Sequence, residues 1–191
     1  MQKLLFYTII PCMKQSVEFI FEKEVQEIFR HFTRLFGIRI VFFSYDGQEL
    51  SAGDRRPMCR YCTMLRKKLG YDETCRQLDR HKQQESAEQG GLICYQCHGG
   101  MTEAVMPVYN IDRIIGFVTI GQFRTRNNLG AALKKRWETR FGNNQLEKAF
   151  FKAPYYDKKA FDDILGLFSI LVQFIVSHRL IAIRSQNPVK T

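Results

Sequence analysis

The sequence predicts an α+β fold, an antiparallel sheet flanked by helices with a long helix at its C-terminal end, and three patterns carry that prediction. Residues 102–109 and 114–123 are β-branched and aromatic runs joined at Asn110-Ile111-Asp112-Arg113, the signature of two paired central strands. Residues 16–36 place Val17, Phe21, Val25, Ile28, Phe29, Phe32 and Leu35 at helical spacing, with Gly37 where a C-terminal cap belongs. Residues 156–184 carry Phe161, Ile164, Leu165, Phe168, Leu171, Val172 and Ile175 on one broad apolar stripe behind the helix-breaking Pro154.

The remaining elements follow in order. After the first helix, 38–43 reads as a strand, and Tyr45-Asp46-Gly47-Gln48 turns it back into Glu49-Leu50. A polar loop over 53–57 precedes a short helix at 58–69 and a longer polar helix at 72–89, for which Asp72 offers an N-cap. Gly116 and Gly121 mark places in the last strand where side-chain bulk is excluded. Helices at 130–141 and 144–152 lead to the final one, whose stripe suits core contact and also a homodimer. The divisions are an N-terminal extension over 1–15, one domain over 16–176, and the end of the last helix with a tail over 177–191.

Composition narrows the function classes. The 191 residues are 45% hydrophobic and 25% charged, with sixteen Phe and eight Tyr, so one core of real size is within reach and disorder is not expected. The 29 Lys and Arg against 19 Asp and Glu give a net charge of +10, which favours anionic partners without naming one. The basic residues, including those from Arg76 to Lys82, are interleaved with acids and read as a solvated cationic surface. No helix-turn-helix, zinc-finger or RNA-recognition signature is legible, so DNA would be reached only through an effector module outside this sequence.

The apolar start around Leu4 to Ile10 lacks a small-residue cleavage site, and the run over 164–176 is too short and too interrupted to cross a bilayer. A cytoplasmic protein with no membrane partner is expected. Its six cysteines are then available as metal ligands, redox groups or small buried hydrophobes rather than as disulfides.

Chemistry concentrates between residues 59 and 103. Cys59-x2-Cys62, Cys75 and Cys94-x2-Cys97 with His98 adjacent have the paired spacing of a tetrahedral metal site. Against a simple zinc knuckle, Cys94 and Cys97 differ in parity on an extended segment. A thiolate enzyme using Cys97 with His98 as base meets the same objection, since adjacent residues of an extended chain point apart. Glu103 opens one central strand and Gln122 closes its partner. In an antiparallel pair they come to the same end, where with His98 they would form a polar lip on an apolar pocket.

The ordered set Tyr61-Cys62, Cys75-Arg76 with Asp79, Tyr95, Cys97-His98, Gly100, Thr102, Pro107, Ile115-Gly116-Phe117-Val118 and Gly121-Gln122 resembles the PocR-type ligand-binding sensory domain, over roughly residues 26–176. The resemblance implies a PAS/GAF-like sheet with flanking helices, found in AraC-type transcription regulators and sensor kinases, and a small propanediol-like ligand. Its motif covers Cys62, Cys75, Cys97 and His98 but not Cys59 or Cys94, so the metal version it leaves is three thiolates with His98, holding zinc or an iron–sulfur cluster. Gly99-Gly100 stands where the family usually has Ala-Gly, which loosens the turn.

The expected function is therefore non-enzymatic sensing of a small molecule, in a pocket lined by Phe42 and Val118 and oriented by His98, Glu103 and Gln122, relayed through the C-terminal helix. The alternative is a zinc, iron–sulfur or redox sensor built on the cysteines.

Overall fold

A computed structural model describes residues 23–50, 57–110 and 113–186, with side chains beyond Ile175 described only at Ser177. The predicted N-terminal extension, residues 16–22 of the first helix, the loop over 51–56 and Ile111-Asp112 lie outside the described residues.

Five strands form one antiparallel sheet in the order β2-β1-β5-β4-β3: β1 (Arg39–Ser44), β2 (Glu49–Leu50), β3 (Ile93–Gln96), β4 (Thr102–Asn110) and β5 (Arg113–Phe123). The β1–β2 turn closes through Gly47, with φ +80° and its N–H donating to the Ser44 carbonyl at 2.9 Å. β3 is a strand in its own right. Ile93 and Tyr95 are buried and alternate with exposed Cys94 and Gln96, the period of two that an edge strand shows.

One face of the sheet carries the main core. α1 (Lys23–Phe36) contributes Val25, Phe29 and Phe32, and the final helix α6 (Lys158–Gln186) contributes Ile164, Phe168, Val172 and Ile175. These pack on Phe42, Ala104, Val108, Val118 and Ile120. Leu35, placed on the apolar stripe by its spacing, is instead 77% exposed. α6 starts at Lys158 rather than at Tyr156. The Tyr156 N–H is engaged by the Arg124 carbonyl at 2.9 Å, and Asp157 caps the helix through its Oδ1 to the Ala160 N–H at 2.9 Å.

A second cluster sits beyond one end of the sheet, where α2 (Arg60–Leu69), α4 (Ala131–Phe141) and α5 (Gln145–Phe151) pack Tyr61, Leu65, Trp137, Leu146 and Phe150 around Met101. Cys59 is the N-cap of α2, its Sγ accepting from the Cys62 N–H at 3.4 Å. Gly99 is packed tightly rather than loosened: its carbonyl accepts from the Tyr61 hydroxyl at 2.6 Å, and a Cβ there would lie 2.5 Å from Leu65 Cδ1.

The other face is covered by α3 (Asp72–Gln89). Asp72 is the first helical residue, with Tyr71 at the cap position. Its carboxylate serves Arg76 and Arg66 instead of the backbone. α3 is polar nearly all round, yet its middle lies over the sheet. Its few apolar side chains, Leu78 and Ala87, pack on a small buried cluster of Ile93, Tyr95, Val105 and Phe117, and Arg76, Asp79, Arg80 and Gln83 line open space beside it.

Candidate functional site

Between α3 and the sheet lies a cavity of about 400 Å³, within the range of small-molecule sites. The β1–β2 turn closes one side of it. Strand alternation decides which residues reach the cavity. Val41, Phe43 and Thr119 line it, while Phe42 and Val118, cross-strand partners in register, point the opposite way into the main core. The expectation that Phe42 and Val118 line a ligand pocket is corrected by this parity. His98 is exposed in the turn after β3 and is not among the residues lining the cavity, so it does not form a lip with Glu103 and Gln122.

Glu103 and Gln122 do come together on the cavity wall, by a local irregularity. Thr102 pairs with Phe123 and Ala104 with Ile120, so Gly121 and Gln122 together stand opposite Glu103, a β-bulge. Gln122 takes φ +67°, the left-handed region, where a non-glycine residue is held only by its surroundings. Its Oε1 accepts from the Cys59 N–H at 2.6 Å, tying the bulge to the start of α2. Gly121 leaves room for Glu103, since a Cβ there would lie 2.9 Å from the Glu103 Cγ.

The floor is a linked set of polar groups. The Tyr95 hydroxyl donates to Asp79 Oδ1 at 3.1 Å and approaches Glu103 Oε2 at 3.4 Å, while Arg66 Nη2 lies 3.4 Å from Asp79 Oδ2. Burial, reinforced by the neighbouring Asp79 carboxylate, pushes the Glu103 carboxyl up to about 8 against the opposing pull of Arg66 and Tyr95. At neutral pH Glu103 is therefore largely protonated and can donate a hydrogen bond. Burial also raises Asp79, again opposed by Arg66 and Tyr95.

From α3, Arg76, Asp79, Arg80 and Gln83 face the cavity at the i, i+3, i+4, i+7 spacing of one helix face. In the sequence this stretch looks like a solvated charged surface. The signal available was a polar face at helical period on a helix with almost no apolar one. Gln83 is only 5% exposed, and its amide makes no hydrogen bond with another described residue. Neither does the Thr119 hydroxyl.

Cys62, Cys75 and Cys97 lie near Glu103 at the α2 end of this site, and Cys94 is apart from them on edge strand β3. Cys62 is buried, Cys75 and Cys97 are half-buried and Cys94 is exposed. Burial raises the Cys75 and Cys97 thiols, and burial alone takes Cys94 up to about 11. Cys62 is raised first by its hydrogen bond with Cys59 and then by burial. Among the described residues no group of three or more His, Cys, Asp and Glu side chains is placed to hold a metal ion, Cys62, Cys75, Cys97 and His98 included. No helix among the described residues is long and apolar enough to cross a membrane.

With this geometry in view, residues 18–180 match the family described as the sensory domain found in PocR. The chain belongs to the PocR sensory-domain family. A relative of this PocR-type chain, the Regulatory protein PocR of Salmonella typhimurium, is 22% identical over 160 residues, covering 82% of this chain and 51% of that protein. The chain thus spans about half the length of the curated relative it matches. No solved structure matches it.

Proposed function

We propose that this PocR-type sensory domain binds a small hydroxylated, propanediol-like metabolite in the cavity between α3 and the sheet, and that occupancy biases the C-terminal helix α6 as the output to a regulatory partner. The observation that carries the reading is Gln83: a side chain only 5% exposed that faces the cavity, its amide making no hydrogen bond with another described residue. Its amide opens onto the cavity, where a ligand's hydroxyl can hydrogen-bond to it. Thr119 and protonated Glu103 add a hydroxyl and a donor beside it, and Val41 and Phe43 take the ligand's carbon chain.

The reading is one of sensing rather than turnover. A thiol nucleophile needs a depressed pKa, and Cys62, Cys75, Cys94 and Cys97 are all pushed the other way. Relay is supported by β4, which presents Glu103 to the cavity and Ala104 and Val108 to the core beneath α6. A ligand shifts that helix only so far as it binds two arrangements of β4 with different affinity.

The test is thermal melting of the protein and of Gln83→Met with 1,2-propanediol and related short polyols. The parent should melt higher with ligand while the variant, similar in size, keeps its unliganded melting temperature and loses the shift. Equal shifts in both would remove this cavity from ligand binding.

A further inference from the structure

The cavity's charges are not evenly matched. Four arginines line it, Arg39, Arg66, Arg76 and Arg80. Arg39 is paired with Glu49, Arg66 with Asp79 and Asp72, and Arg76 with Asp72 and Glu73. Arg80 makes no ion pair, hydrogen bond or ring contact with another described residue. It is exposed at the edge of α3 beside the β1–β2 turn, where its Nε lies 3.6 Å from the Cβ position of Gly47, and Gln83 Oε1 lies 4.0 Å from that same point.

A guanidinium at the mouth and an amide one helical turn further in, neither of them partnered by another described residue, are two different recognition groups along one helix face. The first matches a carboxylate, which its planar fork binds with two parallel N–H donors. The second, with the Thr119 hydroxyl opposite, matches a hydroxyl or carbonyl.

We infer that the ligand of this cavity is a small hydroxy acid, its carboxylate held by Arg80 and its hydroxyl by Gln83 and Thr119, with Val41 and Phe43 against its carbon chain. The inference rests on the cavity being the sensory site proposed above and takes its ligand to be a hydroxylated anion in place of a neutral polyol. The acids of the floor do not forbid it. Arg66 offsets Asp79, and burial favours the protonated form of Glu103 over the carboxylate that would repel an incoming anion. A single unpaired guanidinium suits a monoanionic carboxylate better than a phosphate dianion, whose charge calls for more than one cation.

Calorimetric titration of the full chain at pH 7 and constant ionic strength with lactate, glycerate, propionate and 1,2-propanediol tests this. The hydroxy acids should bind at least tenfold tighter than either propionate, which lacks the hydroxyl, or propanediol, which lacks the carboxylate. Arg80→Gln, on an exposed position that leaves the core intact, should lose at least tenfold for the hydroxy acids, and Arg80→Lys should recover part of that loss. Hydroxy acids that bind no tighter than propanediol, or equally to parent and Arg80→Gln, overturn the inference. Propanediol binding without acid binding would leave the cavity as the sensory site and remove the anion. No binding by any of the four would fail both readings.

Discussion

Glu103 concentrates the chemistry of the cavity in one side chain. Burial holds its carboxyl up to about 8, with Asp79 adding to the effect and Arg66, Tyr95 and Arg39 opposing it. An unfolded glutamate ionises near 4.5, so above that pH the unfolded chain releases a proton that the folded one keeps. The stability linked to Glu103 is fully present below about 4.5 and is lost as pH rises through about 8. Glu103→Gln retains the shape and removes the titration. Melting curves between pH 5 and 9 should therefore fall more steeply for the parent than for the variant, and parallel curves would deny the elevated carboxyl. Sequence reasoning singles out Glu103 and Gln122 because strand ends in an antiparallel pair meet. It does not single out Gln83 or Arg80, because a glutamine and an arginine in a charged helix look like solvent-facing residues until the surface they face is known.

At the scale of elements, the bulge in β5 is the device that brings strand and helix together. Without the extra residue, Gln122 would continue the alternation of β5 instead of turning its amide to the start of α2. The left-handed backbone at Gln122 costs about 1 kcal/mol, and the bond to the Cys59 N–H contributes a similar amount. Gln122→Ala keeps the strain and removes the bond, so it should destabilise by about 1–2 kcal/mol. Gln122→Gly removes both and should stay closer to the parent. Chemical unfolding of the two variants checks the order, and an alanine variant as stable as the glycine one would show that the amide contact adds nothing. Elements with a clear period are legible in the sequence: α1, β4, β5 and the stripe of α6 all match their patterns, while α3 is read from its cap and polar composition. The bulge is not, since no residue type announces a one-residue slip of register, and β3 is too short for its alternation to stand out.

Across the whole molecule the sheet packs one face on α1 and α6 and the other on α3, where a small apolar cluster of Ile93, Tyr95, Val105 and Phe117 adjoins the cavity, and β4 contributes side chains to both faces. Deuterium exchange with and without a stabilising ligand should show slower exchange in β4, along α3 over the cavity, at residues 59–63, and in the part of α6 packed on the sheet. Protection confined to α3, with α6 unchanged, would sink the relay through the C-terminal helix. The exposed Leu167 and Ile170 on α6 are where an altered helix would be read by a partner, since neither is used by the core.

The amino-acid pattern by itself determined the α+β class, the antiparallel central pair and the apolar stripes of the first and last helices, because burial on one face leaves a period in the chain. It also carried the family, through an ordered set of short motifs spread across residues 61–122. Tertiary structure alone decided which face of the sheet is hollow. Phe42 and Val118 are as apolar as Val41 and Phe43, and only the packing of α1 and α6 on one side and polar α3 on the other sends the first pair to the core and the second to the cavity. It decided equally that the cysteines, regular in spacing, are not gathered at one ion among the described residues. Spacing along a chain records which residues share an element, whereas a ligand site is made where elements distant in sequence converge.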